Sequence, residues 1–134
     1  MIAIIDYGVG NLFSLKSSLA AIGREAVVTG DRAVLRAASH VILPGVGAFG
    51  DAAARLRAVG MAEAVLEAAA AGKPVLGICL GMQLLLERSF EYGEHPGLGL
   101  IPGEVRPIRD VIPAGLAVPH MGWNALRFPA ERPR

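Results

Sequence analysis

Gly77-Ile78-Cys79-Leu80-Gly81 holds the single cysteine of the chain, with glycine two residues before it and two after. An apolar run precedes the segment and a helix-forming stretch follows it. A strand that turns sharply into a helix projects the side chain at the turn, and bulky neighbours would clash there. The pattern is the thiol form of a nucleophile elbow. It sets the thiol at the carboxyl end of a sheet, where open α/β folds bind ligands. A helix amino terminus behind the thiol carries partial positive charge and free N–H groups, which favour thiolate. The N–H of Leu80 is placed to receive a developing oxyanion. The plainer alternative is a structural cysteine buried between packing glycines.

Pro44-Gly45-Val46-Gly47-Ala48-Phe49-Gly50 is the second such segment. Its glycines admit positive φ and close backbone approach to a ligand. Elbow enzymes usually draw a second oxyanion donor from another strand's loop, and this loop is the candidate. An ordinary glycine-rich turn is the alternative. Gln83 lies one helical turn past Cys79, where its amide can meet a bound amide or carboxylate or stay in solvent. A cysteine hydrolase also needs a base. The histidines are His40, His95 and His120. His40 precedes a strand at the end away from the elbow, so a structural role is expected. His95 stands before Pro96 in a glycine-rich loop and is expected to face solvent. His120, in Val118-Pro119-His120-Met121-Gly122-Trp123-Asn124, has the most suggestive setting, but no spacing sets it against Cys79.

Strands and helices must position these groups. Residues 1–6 form an apolar run that reads as a buried parallel strand. Gly8-Val9-Gly10 breaks it and Asn11 can cap a helix. Leu12, Leu15, Leu19 and Ile22 recur at helical spacing until Gly23 stops them. Further strands are expected at 25–29, 40–43 and 75–78. Helix is expected over 51–71, broken near Gly60, and again over 81–88 with Met82, Leu85 and Leu86 on one face. Beyond Phe90 the sequence predicts a loop over 92–103, then strands near 104–108 and 116–128. Strands alternating with helices argue for βαβ units and an open, mostly parallel sheet flanked by helices.

The chain's 134 residues make one domain, 1–134. Hydrophobic residues are 53% and charged residues 19%, enough apolar surface for a core. A net charge of +1 and 5% aromatics argue against nucleic acid. One cysteine excludes an internal disulfide framework and a Cys-rich zinc site. No signal peptide is expected from the opening residues, and the apolar stretches fall far short of the ~20 residues of a membrane span. A soluble, cytoplasmic protein is expected.

Cys79-Leu80-Gly81-Met82-Gln83 resembles the class I glutamine amidotransferases, which use a Cys-His-Glu triad. Ile5-Asp6-Tyr7-Gly8-Val9-Gly10-Asn11, the Leu43–Phe49 loop, Gly97-Leu98-Gly99-Leu100-Ile101-Pro102-Gly103 and the Pro-His-Met-Gly-Trp-Asn segment narrow the likeness. Together they resemble the glutaminase subunits of imidazole glycerol phosphate synthase, of histidine biosynthesis. The resemblance implies a flavodoxin-like fold and attack of Cys79 on the side-chain amide of glutamine, giving ammonia and glutamate. It makes the N–H groups of Gly47 and Leu80 the oxyanion hole and Gln83 a substrate-binding residue. It implies a heterodimer with a (β/α)8-barrel cyclase subunit, which receives the ammonia and forms imidazole glycerol phosphate and an aminoimidazole carboxamide ribonucleotide. Asn11, His120, Trp123 and Asn124 match positions at or near that partner's face. No metal or organic cofactor is implied.

The family carries its catalytic histidine and glutamate as a His-x-Glu pair well past the Trp-Asn motif. The 134 residues contain no such pair, and His120 does not match that histidine. The domain is therefore expected to lack the family's carboxyl-terminal strands and helix. General-base catalysis contributes ~10²–10⁴-fold, so hydrolysis by this chain is expected to be impaired. The alternatives are a module that only binds the cyclase, or an unrelated cysteine hydrolase with His120 as base.

Overall fold

The computed structural model describes residues 1–119, 121–125 and 127. Four short parallel strands form its main sheet. In chain order the elements are β1 (Ile2–Ile5), α1 (Leu12–Ala21), β2 (Ala26–Thr29), α2 (Arg32–Ala37), β3 (His40–Leu43), α3 (Phe49–Ala58), α4 (Met61–Ala70), β4 (Val75–Gly77) and α5 (Leu80–Leu84). The strand order is β2-β1-β3-β4. This is the doubly wound arrangement, with its switch point between β1 and β3. A second sheet follows, built from β5 (Leu86–Ser89), β6 (His95–Pro96) and β7 (Ile101–Val105) in the order β6-β5-β7.

Alternation along the strands divides the core. Ala3 and Ile5 of β1 and Val41 and Leu43 of β3 join one buried cluster with Leu35, Phe49, Leu56, Met61 and Val65 from α2, α3 and α4. Alanines at 52, 53, 62, 64 and 68 complete that face. Their small side chains let the helices lie close to the sheet. Ile4 and Ile42 are also buried but fall outside the cluster, on the opposite face, where α1 packs. None of α1's own side chains is buried. Arg32 and Arg36 of α2 grip Glu67 of α4 at 2.6 and 3.0 Å across the surface, where water screens such pairs.

Local chemistry sets the element ends. Asn11 Oδ1 accepts from the Ser14 N–H at 3.2 Å and caps α1. Asp31 Oδ1 accepts from the Ala33 N–H at 2.7 Å and starts α2, a helix the hydrophobic spacing did not signal. Gly60, at φ +71, parts α3 from α4 where the alanine-rich run was expected to break.

The expected helix over 81–88 is corrected. Helix α5 ends at Leu84, and Leu86–Ser89 is strand. The carbonyls of Leu84, Leu85 and Leu86 accept from the N–H groups of Leu98, Leu100, Ile101 and Gly99. That returning segment takes the acceptors a longer helix would need. Leu84 and Leu85 are buried while Met82 is 52% exposed, so the expected apolar face is shifted. The expected loop over 92–103 contains β6 and the start of β7. The strand placed at 104–108 ends at Val105, and Ile108–Asp110 is a 3-10 turn. No strand forms among the described residues of the 116–128 stretch. No helix among the described residues is long and apolar enough to cross a membrane.

Candidate active site

The carboxyl ends of β1, β3 and β4 converge on one edge of the main sheet. Parallel pairing sets Leu43 opposite Gly77, and the Ile78 N–H donates to the Leu43 carbonyl at 3.0 Å. Pro44 therefore leaves β3 as Cys79 leaves β4, and the two loops lie side by side.

Cys79 has φ +56 and ψ −118 and is exposed. A non-glycine residue in that region is strained, and such strain persists only where the surroundings over-determine it. The surroundings are the flanking glycines. A Cβ on Gly77 would stand 2.5 Å from the Met82 Cα. A Cβ on Gly81 would collide with the carbonyl of Leu43. The turn can close only because both lack one. The N–H groups of Gly81, Met82 and Gln83 donate to the carbonyls of Ile78 and Cys79. This leaves the Leu80 N–H, among the described residues, without an acceptor. The helix behind the thiol has only five residues, a short dipole.

The neighbouring loop is pinned at both ends and open between. The buried Tyr7 hydroxyl donates to the Pro44 carbonyl at 2.8 Å. The Phe49 N–H donates to Glu91 Oε2 at 2.8 Å, which caps α3 where Ala48 offers no side-chain cap. Between them Val46 and Gly47 are exposed. Gly47 has φ +95, and a Cβ there would meet nothing within 4 Å. It is glycine for its torsion, not for space. Gly45 is different: a Cβ there would stand 2.8 Å from the Gly81 nitrogen and 2.9 Å from the Tyr7 hydroxyl oxygen.

Gln83 is half-buried and lines a cavity of about 580 Å3 with Glu91, Tyr92, Arg106 and Ile108; Cys79 is not among its walls. Asn11 is exposed and occupied as the cap of α1. Trp123, at 102% exposure, and Asn124 lie on the surface. His120 lies outside the described residues. His40 opens β3 at the far end of the sheet, with Nδ1 3.1 Å from the Ser39 hydroxyl. His95, expected in solvent, is half-buried: its ring packs on Gly50, where a Cβ would come within 2.7 Å of Cε1.

Two residues escaped the sequence reading. Tyr7 stands directly after an apolar strand, and that position was its only signal. Glu91 follows β5, and reading β5 as helix hid it.

Burial pushes the Tyr7 phenol from 10.0 up to about 12. The hydroxyl is thus favoured in its neutral form by folding. The stabilisation is complete below pH 10 and is lost as pH rises toward 12, because the unfolded chain ionises first. Urea midpoints of the wild-type chain should fall more steeply over that window than those of Tyr7→Phe; equal slopes would contradict this. Gly81→Ala must displace backbone and should lose at least about 3 kcal/mol in urea unfolding, the upper range for overpacking. An unchanged midpoint would show that the elbow has slack.

Residues 2–110 match the model of the CobB/CobQ-like glutamine amidotransferase domain. The chain is 54% identical over 134 residues to the imidazole glycerol phosphate synthase subunit HisH of Sulfurimonas denitrificans, covering 99% of this chain and 64% of that protein. It is 54% identical over 128 residues to the subunit of the same name from Moorella thermoacetica, covering 96% and 59%. The chain thus spans about three fifths of the length of these curated relatives. Among solved structures, a crystal structure of a glutamine amidotransferase superposes with a TM-score of 0.67 at 23% identity, over 79% of this chain and 56% of that one. That likeness speaks to the fold. With the family model spanning most of its length, the chain belongs to the glutamine amidotransferase family.

Proposed function

We propose that the chain is the glutamine-hydrolysing part of an imidazole glycerol phosphate synthase. The observation that carries the reading is the strained, exposed Cys79, held at φ +56 between two glycines that admit no side chain. The names of the curated relatives reported above supply the enzyme.

In this reading the Cys79 sulfur attacks the side-chain carbonyl of glutamine. Charge develops on the carbonyl oxygen, and the N–H groups of Leu80 and Gly47 receive it. The tetrahedral adduct collapses, the C–N bond breaks and the nitrogen leaves as ammonia, carrying the proton that the Cys79 thiol gave up. Water then cleaves the γ-glutamyl thioester to glutamate and restores the thiol. The resemblance assigns Gln83, one helical turn past Cys79, to substrate binding. The resemblance assigns proton transfer to a His-x-Glu pair, which none of the 134 residues supplies.

The partner is a (β/α)8-barrel cyclase subunit in the cytoplasm, fed with ammonia. The resemblance matches Asn11, His120, Trp123 and Asn124 to positions at or near the face toward it. A fully exposed tryptophan beside an 86% exposed Met121 supports that assignment, because large apolar groups left in water mark interfaces.

The diazoketone analogue of glutamine should alkylate Cys79, read as a mass increment on the peptide that carries it, and Cys79→Ser should abolish the adduct. A folded chain labelled elsewhere, or not at all, sinks the glutaminase reading. Mixed with a relative's cyclase subunit, the chain should co-elute on size exclusion. Trp123→Ala should weaken that association by about tenfold or more, as expected for a buried aromatic anchor. Separate elution of the unaltered chain sinks the partner assignment alone.

A further inference from the structure

We propose that Tyr7 is a positioning residue for the loop beside the elbow: its hydroxyl, by holding the Pro44 carbonyl, sets the heading of the Val46–Gly47 peptide toward Cys79. The inference rests on the glutaminase reading above, in which that peptide donates to the oxyanion.

Torsions carry the argument. The proline ring fixes φ at Pro44, so the direction of the chain leaving β3 is decided by ψ at that residue. The same ψ aims the Pro44 carbonyl. A hydrogen bond to that carbonyl therefore sets where Gly45 begins. The bond is the one from Tyr7, 2.8 Å long and buried. Gly45 and Gly47 have no side chains to hold the loop, and Val46 is 51% exposed. Without an anchor the two glycines leave this stretch freer than residues with side chains would.

Packing closes the other routes. The Pro44 ring lies against Gly10, where a Cβ would come within 3.0 Å of the proline Cβ. Gly45 is wedged between the Tyr7 hydroxyl and the first residues of α5, with hypothetical Cβ distances of 2.9 Å to Tyr7, 2.8 Å to the Gly81 nitrogen and 3.0 Å to the Leu80 Cβ. Tyr7, the start of the loop and the elbow thus form one contact. The loop's far end is tied separately, through the Phe49 N–H to Glu91. A peptide strung between two fixed points takes its orientation from both, and Tyr7 is the fixed point nearer the elbow. Phenylalanine would fill the same space, so the hydroxyl is what the position adds. At 4% exposure it needs a partner, and burial keeps it protonated as a donor.

Two reagents separate positioning from folding. Iodoacetamide alkylates a thiolate by displacing iodide and builds no oxyanion. The diazoketone analogue of glutamine takes up the thiol's proton at its diazo carbon, the sulfur bonds to that carbon and dinitrogen leaves, while the adjacent carbonyl lies in the oxyanion site. In the full 134-residue chain, Tyr7→Phe should react at Cys79 with iodoacetamide at the wild-type rate, within about twofold. With the diazoketone it should react about tenfold more slowly, a fraction of the ~10²–10³ that deletion of an oxyanion donor costs. Equal rates with both reagents overturn the inference. So does slowing by both alike, or a Tyr7→Phe chain that does not fold, since each assigns Tyr7 to the fold alone. An unaltered chain whose Cys79 takes iodoacetamide but not the diazoketone brings down the glutaminase reading itself, and the inference with it.

Discussion

The structure depends on a steric constraint: backbone meets backbone where α5 begins. Gly81 lies against the carbonyl end of β3 so closely that one methyl group would not fit. Everything at the candidate site is arranged from that contact. It brings the turn after β4 alongside the loop after β3. It forces the positive φ of Cys79, because the chain must reverse within one residue. It also leaves the Leu80 N–H, among the described residues, without a backbone acceptor while its successors bond into the turn. Parallel pairing of Leu43 with Gly77 makes the contact possible, and the glycine makes it tolerable.

The two loops differ in how they are held. The elbow is rigid through exclusion, with no room for alternatives. The neighbouring loop is held by two hydrogen bonds and by the burial of Pro44 and Gly45, and faces water at Val46 and Gly47. Its middle, Val46 and Gly47, makes no hydrogen bond among the described residues. In the proposed reading, such a site combines a fixed nucleophile with a donor whose aim is set from outside the loop. Preorganised donors lower barriers only as far as their aim is kept.

Much of this was legible in the residues, and the reasons for the misses are specific. The strand at His40–Leu43 and the break at Gly60 are written in local chemistry: a β-branched apolar run, and a glycine between alanine-rich helices. The elbow was legible because its glycine spacing has a steric cause. The turn from α5 into β5 was not. Leu84, Leu85 and Leu86 suit a helix as well as a strand, and a segment fourteen or so residues later decides between them by taking their carbonyls. Glu91 was hidden by the same error. Tyr7 was hidden because a tyrosine after a strand has no pattern, and its partner lies 37 residues away. The half-burial of His95 depends on Gly50 of α3, a neighbour that sequence spacing cannot name.

Strand β4, which carries the thiol's turn, borders the main sheet among the described residues. Its inner side is laced to β3, while Leu76 is 55% exposed. A border strand keeps one row of peptide groups turned outward, open to whatever backbone comes alongside. Within the plane of the sheet the turn is thus mounted like a shelf on a single bracket, one ladder of three residue pairs. A chain laid along the outer margin would add a second support.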